Sequence, residues 1–473
     1  MSSKKHALTI FSLTMITVGS VDSIRNLPAT ALFGSQLIAF FLLGALFFLI
    51  PTALVSAELA SGWAKQGGIY IWVKEAFGKK TGFLAIWLQW IENVIWYPTI
   101  LSFVAGTIGY LINPALASNP YFLWIVIVAS FWGATFLNMR GMSSSAFFSN
   151  ICAISGLLLP MSLIIGLGAM WLIGGNPSEV KFDLQSITPH FQDKSLWVSL
   201  TAIMMSFCGI EIATVHANDV HNPQHAFPRA LTNSVLIILV TLILGSLAIA
   251  VVLPQHDINL VAGIMQAFDA FFGRYELLWM MPIIALMLVM GGLGGVSNWI
   301  IAPTKGLMVA AEDGNLPRVF QRANKNNAPV VMLVTQAVIV TFLSTLFLFM
   351  PSVNGSYWLL TALAAQLYML MYLIMFAAAI KLRIREPNHP RAFRIPGGLP
   401  GMLFVAGIGI IGALLTLVVS FMPPVGINVG GLARYEFTLI FGLLLMCSPP
   451  FISIWLQNRN LAAKSLVVDT ALS

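Results

Sequence analysis

Residues 7–25 read ALTIFSLTMITVGSVDSIR, and residues 196–211 read LWVSLTAIMMSFCGIE. Each is an apolar run, over 7–18 and 196–208, stopped by a glycine-containing polar patch. The patches are Gly19-Ser20-Val21-Asp22-Ser23-Ile24-Arg25 and Gly209-Ile210-Glu211. Both put ionisable side chains at membrane depth, where a charge is costly and usually lines a solute path. Two interrupted helices at corresponding places in two halves of a chain point to the central site of a secondary transporter.

Composition agrees that the chain lives in a bilayer. It is 58% hydrophobic and only 9% charged, against about 25% charged in a soluble domain, and its mean hydropathy is +0.88. Apolar runs long enough to cross a membrane recur along it, and their continuity excludes barrel strands. The fold class is all-α, a polytopic membrane protein. Twelve spans are predicted: 7–34, 36–60, 82–112, 120–138, 149–174, 196–222, 231–253, 277–311, 329–350, 356–381, 401–422 and 435–456. The connections between them are short, so a single transmembrane domain is expected over 1–473. Lys4-Lys5-His6 followed by an apolar run resembles a signal peptide with Ala29-Thr30-Ala31 as its cleavage site. Asp22 and Arg25 interrupt that segment, and the first span is read as retained.

The formal charge of +7 does not imply a nucleic-acid partner, because the basic residues sit in loops on alternating sides. With both termini in the cytoplasm, 19 of the 24 Lys and Arg residues face that side. Only Lys181, Lys194, Arg274 and Arg434 lie opposite, and Arg25 lies within the membrane. This asymmetry orients the chain. Cys152, Cys208 and Cys447 fall inside spans without paired spacing and are silent about redox compartment.

Gly19 and Gly209 are 190 residues apart, about five spans. An odd number of helices per repeat turns the second copy upside down. The expected architecture is therefore a five-plus-five inverted repeat, first copy about 7–174, second about 196–381, with additional helices over about 401–456. A helix broken in mid-membrane leaves N–H groups unpaired at the start of its second half and C=O groups unpaired at the end of its first. The two ends attract a carboxylate and a cation respectively, so one break can read a whole α-amino acid. Gly19 and Ser20 are expected to supply the non-helical backbone. The competing reading is a simple kink with Asp22 and Arg25 as an ion pair. Glu211, following an apolar stretch, is the candidate for sensing or coupling a proton, against a hydrogen-bonded glutamic acid that only shapes the break.

After the second break, Ala213-Thr214-Val215-His216-Ala217-Asn218-Asp219-Val220-His221-Asn222-Pro223 and Phe227-Pro228-Arg229 resemble the sixth helix of the amino acid–polyamine–organocation superfamily. His216, Asn218, Asp219, Asn222 and Pro223 are spaced as in its glutamate/γ-aminobutyrate antiporter branch. Leu253-Pro254, Ile258-Asn259-Leu260, Gly263-Ile264-Met265-Gln266, Ser297-Asn298-Trp299-Ile300, Asn324-Lys325-Asn326, Ile395-Pro396-Gly397-Gly398 and Val419-Ser420-Phe421 extend the likeness over nearly all of the chain. The resemblance implies alternating access and amino-acid exchange at a bacterial inner membrane. It also implies that Gly19 to Ser23 and Gly209 to Glu211 are the backbone-binding segments. Arg25 departs from the branch, which has an uncharged or aromatic residue there, and Gly294-Gly295 lacks an acidic residue that some members carry.

Further candidates are Glu92, Trp96 and Tyr97 in the third span as a side-chain pocket, or Trp and Tyr as an interfacial belt. Tyr368 and Tyr372, one turn apart in the tenth span, read as a gate or as core packing. Asn298 reads as a ligand contact or as an interhelical bond. Glu58 and Glu75 border a basic loop and read as salt bridges. His216, His221 and His225 lack a metal-site geometry. No metal and no cofactor is expected, nor an enzyme, since no nucleophile–base set, paired aspartates or His-Glu-x-x-His motif is present. The expected partners are a small-molecule amino-acid substrate and the lipid bilayer, with proton-coupled symport as the alternative to exchange. Glutamate, glutamine, γ-aminobutyrate and neutral amino acids all remain open, and oligomeric state is not legible.

Overall fold

The computed structural model describes residues 9–63, 65, 67–140, 152, 154–189, 192, 194–211, 223–326 and 328–472. Among them the regular structure is helical, with no strand. Among the described residues ten helices are long and apolar enough to cross a membrane: Gly34–Gly62, Lys79–Ile112, Pro120–Met139, Ser155–Ile173, Pro228–Val252, Leu278–Ser297, Val330–Phe349, Val353–Arg385, Gly398–Val419 and Leu432–Gln457. They coincide with ten of the twelve expected spans. The other two expected spans, first and sixth, are the interrupted ones. The first is a helix Ile10–Val21, a 3-10 turn Ile24–Asn26 and a short helix Leu27–Ala31. The sixth is described as helix Ser199–Ser206, a turn, and helical backbone at Ile210 and Glu211. Its continuation over 212–222, with His216, Asn218, Asp219, His221 and Asn222, lies outside the described residues.

Two expectations about extent need correction. The last helix runs Leu432–Leu472, well beyond 456, because nothing apolar is needed once it has left the bilayer and the sequence there is still rich in helix formers. Two helices of nine residues or more were not anticipated, Ile69–Phe77 between the second and third spans and Gly263–Arg274 between the seventh and eighth. Both are too short to span: Gly263–Arg274 buries one face, with Ile264, Met265, Phe268, Phe271 and Phe272, whereas Ile69 to Val73 are buried all round. An amphipathic stripe of this kind is invisible to a search for continuous apolar runs.

The third and tenth spans form the centre and are buried along most of their length. They pack on each other, and the third also packs on the eighth. The twelfth span is the least buried of the ten, presenting Phe437, Phe441, Leu444 and Phe451 outward. With no hydrophobic drive between helices in lipid, small residues bring backbones together. The fifth and eighth spans do this at Gly156 and Gly291. A Cβ on Gly156 would come within 2.0 Å of Gly291 Cα, and one on Gly291 within 2.5 Å of Gly156 Cα.

The end of the molecule at Glu58 and Asp313 is tied by charge. Glu58, at the end of the second span, is 2% exposed. Its Oε1 accepts from Arg383 Nη1 at 2.5 Å and faces Arg391 Nε at 3.3 Å, while Oε2 accepts from Ile395 N–H at 2.8 Å. Glu75, by contrast, meets Lys65 at 3.5 Å on the exposed surface. Asp313, just past the eighth span, accepts from Tyr70 and Lys74. Partial burial pushes the Asp313 carboxyl up, but the hydrogen bonds from Lys74 and Tyr70 and the charges of Lys74 and Lys79 outweigh it and hold it below the usual carboxylate range. The sign is that of a depressed acid: its contribution is present above the ordinary Asp range and lost as pH falls through the lowered value.

Glu58→Gln leaves two buried guanidinium groups without their counter-charge, a loss of about 3–5 kcal/mol. The expected outcome is a marked fall in the thermal unfolding midpoint of the detergent-purified protein. Glu75→Gln, at an exposed pair, is expected to shift it little; equal shifts for the two would contradict the assignment.

Candidate functional site

The first interruption lies later than the sequence reading placed it. Gly19 and Ser20 remain helical within Ile10–Val21, and Ser20 Oγ donates to Thr17 O. The extended residues are Asp22 (φ −68, ψ 133) and Ser23 (φ −151, ψ 116). Extended backbone is open to any residue type, so the break does not need glycine. Polar side chains that compete for backbone bonds, as Ser and Asp do, are enough to end the helix.

The second interruption does need glycine. Gly209 has φ +101, and a Cβ there would meet Ser20 O at 2.8 Å and the Trp299 ring at 3.3 Å. The two breaks therefore touch, backbone to backbone, at Ser20 and Gly209. Beside this contact Glu211 is 2% exposed and is bonded from two other helices. Gln89 Nε2 and Tyr368 hydroxyl donate to Oε1 at 2.9 and 2.7 Å, and Tyr372 hydroxyl donates to Oε2 at 2.5 Å. Tyr372 oxygen also accepts from Gly209 N–H at 3.2 Å. One carboxylate thus fastens the second break to the third and tenth spans.

Around the first break lies a cavity of about 180 Å³. All eight residues from Gly19 to Asn26 line it, with Glu92, Asn93 and Trp96 from the third span and Met205 and Cys208 from the sixth. Gly291, Gly292, Gly294, Gly295 and Trp299 form the wall on the eighth span, and Tyr368 comes from the tenth. Trp96 and Trp299 face each other with ring centroids 5.9 Å apart.

Three buried ionisable side chains border this space. Asp22 Oδ2 accepts from Thr241 hydroxyl at 2.7 Å, and Oδ1 has no hydrogen-bond partner among the described residues. Arg25 Nη1 donates to Thr99 Oγ1 at 2.8 Å and to Tyr357 OH at 3.2 Å, and its guanidinium lies 5.4 Å from the Trp96 ring centroid. Glu92 Oε2 accepts from Asn93 Nδ2 at 3.1 Å. The expected alternative of an Asp22–Arg25 ion pair is thereby overturned: the two reach hydroxyls on different helices.

Of the candidates read from sequence, Gly19, Ser20, Val21, Asp22, Ser23, Arg25, Glu92, Trp96 and Tyr368 converge on the cavity. Gly209, Ile210, Glu211 and Tyr372 form the layer behind it. Tyr97 is fully buried away from it, its ring 4.8 Å from Phe131. The helical backbone at Asn298 lies in the eighth span; its side chain, like that of His225, lies outside the described residues. Sequence reading missed Asn26, Asn93, Met205, Cys208, Trp299 and the glycine wall. Asn93 could have been found, since it adjoins Glu92 on a helix already singled out. Among the described residues no group of three or more His, Cys, Asp and Glu is placed to hold a metal.

Comparison with known proteins places this architecture. The amino acid permease family model matches residues 8–444. An uncharacterized transporter of Legionella pneumophila is 46% identical over 464 residues, covering 98% of this chain and all of that protein. The glutamate/gamma-aminobutyrate antiporter of Lactococcus lactis strain IL1403 is 30% identical over 466 residues, covering 97% of this chain and 92% of that protein. A probable agmatine/putrescine antiporter of the same strain is 21% identical over 432 residues, covering 89% and 90%. The chain belongs to the amino acid permease family, within the amino acid–polyamine–organocation superfamily, and is a multi-pass membrane transporter.

The two glycines should respond differently to the same change. A Cβ on Gly19 meets nothing within 4 Å, so Gly19→Ala is expected to leave the purified protein's stability near wild type. Gly209→Ala forces a positive φ on an alanine and drives its methyl into Ser20 O, a penalty of more than about 1 kcal/mol. Its unfolding midpoint should fall and transport should be lost; a wild-type midpoint for Gly209→Ala would contradict the contact between the breaks.

Proposed function

We propose that this member of the amino acid permease family exchanges amino acids across the bacterial inner membrane, glutamate, γ-aminobutyrate or glutamine among them. It would work by alternating access, with both termini cytoplasmic and residues of about 7–174 and 196–381 acting as inverted repeats. The observation that carries the reading is the cavity at the first break: buried, walled by a touching second break, and bordered by a guanidinium and two carboxylates that do not pair with one another. Buried charges are ordinarily paired. A set left unpaired around a space of amino-acid size suits a solute that brings its own ammonium and carboxylate.

In this reading Gly19 to Ser23 present backbone to the solute, and Asp22 and Glu92 offer acceptors for its ammonium. Trp96 and Trp299 shape the side-chain space. Gly209, Ile210 and Glu211 act at one remove, and Asn298 is a candidate contact from the eighth span. Tyr368 has a particular place because its ring borders the cavity while its hydroxyl bonds Glu211. Displacing that hydroxyl loosens the fastening of the second break, which gives an occupant a way to favour a change of access. Exchange requires no nucleotide and no cofactor, only opposing gradients. The antiporter relatives support exchange over uptake, and substrate binding is the role we assign in place of any catalysis.

The test is counterflow in proteoliposomes. Vesicles preloaded with one unlabelled amino acid at a time should take up labelled glutamate or glutamine only when the preload is a substrate. Uptake into empty vesicles, driven by an imposed proton gradient, would replace exchange with proton-coupled symport.

We also propose Glu211 as the proton-sensitive element. Glu211→Gln is then expected to flatten the dependence of exchange on pH, read by counterflow at about pH 5.5 and 7.5. A pH profile identical to wild type would leave Glu211 as a fastening alone.

A further inference from the structure

The guanidinium of Arg25 is bonded along one edge and, among the described residues, unbonded along the other. Its Nη1 donates to Thr99 Oγ1 and Tyr357 OH. Both hydroxyls are already committed as donors elsewhere, Thr99 to Trp96 O at 2.7 Å and Tyr357 to Arg25 O at 3.4 Å. Their oxygens are therefore turned to Arg25 as acceptors, and the third and tenth spans together fix the group. The Trp96 face, 5.4 Å away, sets its plane. On the opposite edge, Nε is buried and has no partner, and among the described residues Nη2 makes no hydrogen bond. No carboxylate among those residues pairs with it, Asp22 being turned to Thr241 and Glu92 to Asn93. Yet the side chain is 3% exposed and borders the cavity.

Nε–H and the neighbouring Nη2–H point the same way and match the two oxygens of a carboxylate in a side-on, bidentate pair. Arginine cannot shed its charge, so a buried guanidinium with this edge empty is built for an anion that comes and goes. Resting on the amino-acid reading above, we infer that Arg25 determines specificity by binding the side-chain carboxylate of an acidic amino acid. The backbone opened at Asp22 and Ser23 is the place for the α-groups. Arg25, three residues further along, is left for the far end of the solute. Thr99 and Tyr357 are positioning residues: they touch no solute but fix the fork at the border of the cavity.

The experiment measures direct binding to detergent-purified protein, so that a variant locked in one state is still read. Labelled glutamate is competed with unlabelled glutamate, aspartate, glutamine and asparagine for the wild type, Arg25→Gln and Arg25→Lys. Glutamine keeps the α-groups and loses only the side-chain charge, so its retained binding shows that a variant is folded; labelled glutamine serves as tracer where glutamate binding is lost. The wild type should prefer the acidic member of each pair. Arg25→Gln should cut glutamate affinity at least about tenfold relative to glutamine, as expected for charge-assisted bonds. Arg25→Lys, which keeps the charge without the fork, should recover only part of it. An unchanged glutamate-to-glutamine ratio in both variants overturns the inference, as does an equal loss for all four solutes or a wild-type preference for the amides. Failure of the wild type to bind any amino acid overturns the underlying amino-acid reading instead.

Discussion

Hydrocarbon offers no hydrogen bonds, and that constraint organises this protein from the centre outward. A helix broken in lipid would expose several backbone groups, each costing several kcal/mol. Two such breaks are tolerable here only because they are stacked against each other and enclosed by the third, eighth and tenth spans. The long, deeply buried third and tenth helices are the other half of the same arrangement. They supply the hydroxyl, amide and aromatic groups with which interrupted segments can be satisfied, while the outer helices need only be apolar.

The layer directly behind the cavity gives this arrangement its cohesion. Glu211 accepts from Gln89, Tyr368 and Tyr372, and Tyr372 accepts in turn from the amide of Gly209. Three helices are joined through one side chain, in surroundings where each bond is stronger than in water and each vacancy more costly. Such a network is close to all-or-none. It suits a device that must hold one of two arrangements rather than drift between them, because a partial rupture strands buried polar atoms. The cavity itself is the opposite case, with Asp22 Oδ1 and Arg25 Nε left unbonded among the described residues.

Most of the architecture was legible in the sequence because length and apolarity alone identify a membrane helix. The interrupted first and sixth spans were legible for the inverse reason, since Asp22, Arg25 and Glu211 contradict their apolar surroundings. What could not be read is where side chains point. Asp22 and Arg25 lie three residues apart, a spacing that equally fits a local ion pair; only the packing sends one to Thr241 and the other to Thr99 and Tyr357. The exact break escaped for a similar reason: Gly19 drew attention by its residue type, yet the helix persists through it and yields at Asp22. Glu92 and Tyr97, five residues apart, looked like parts of one pocket. Helical rotation puts the first at the cavity and the second against Phe131. The wall of Gly291, Gly292, Gly294 and Gly295 gave no chemical signal, because its contribution is the absence of side chains.

The third span also bears on how the protein is made. It carries Gln89, Glu92 and Asn93 in mid-helix and is the least apolar of the ten continuous spans, and a glutamate near the middle of a helix opposes insertion into lipid. The groups that later bury it belong largely to the eighth and tenth spans, which begin some 200 and some 270 residues further along the chain. During synthesis this helix must therefore wait, shielded by its earlier neighbours or by the insertion machinery, until its partners arrive. Biogenesis, more than the finished fold, is the stage at which an added polar residue in this helix would do most harm.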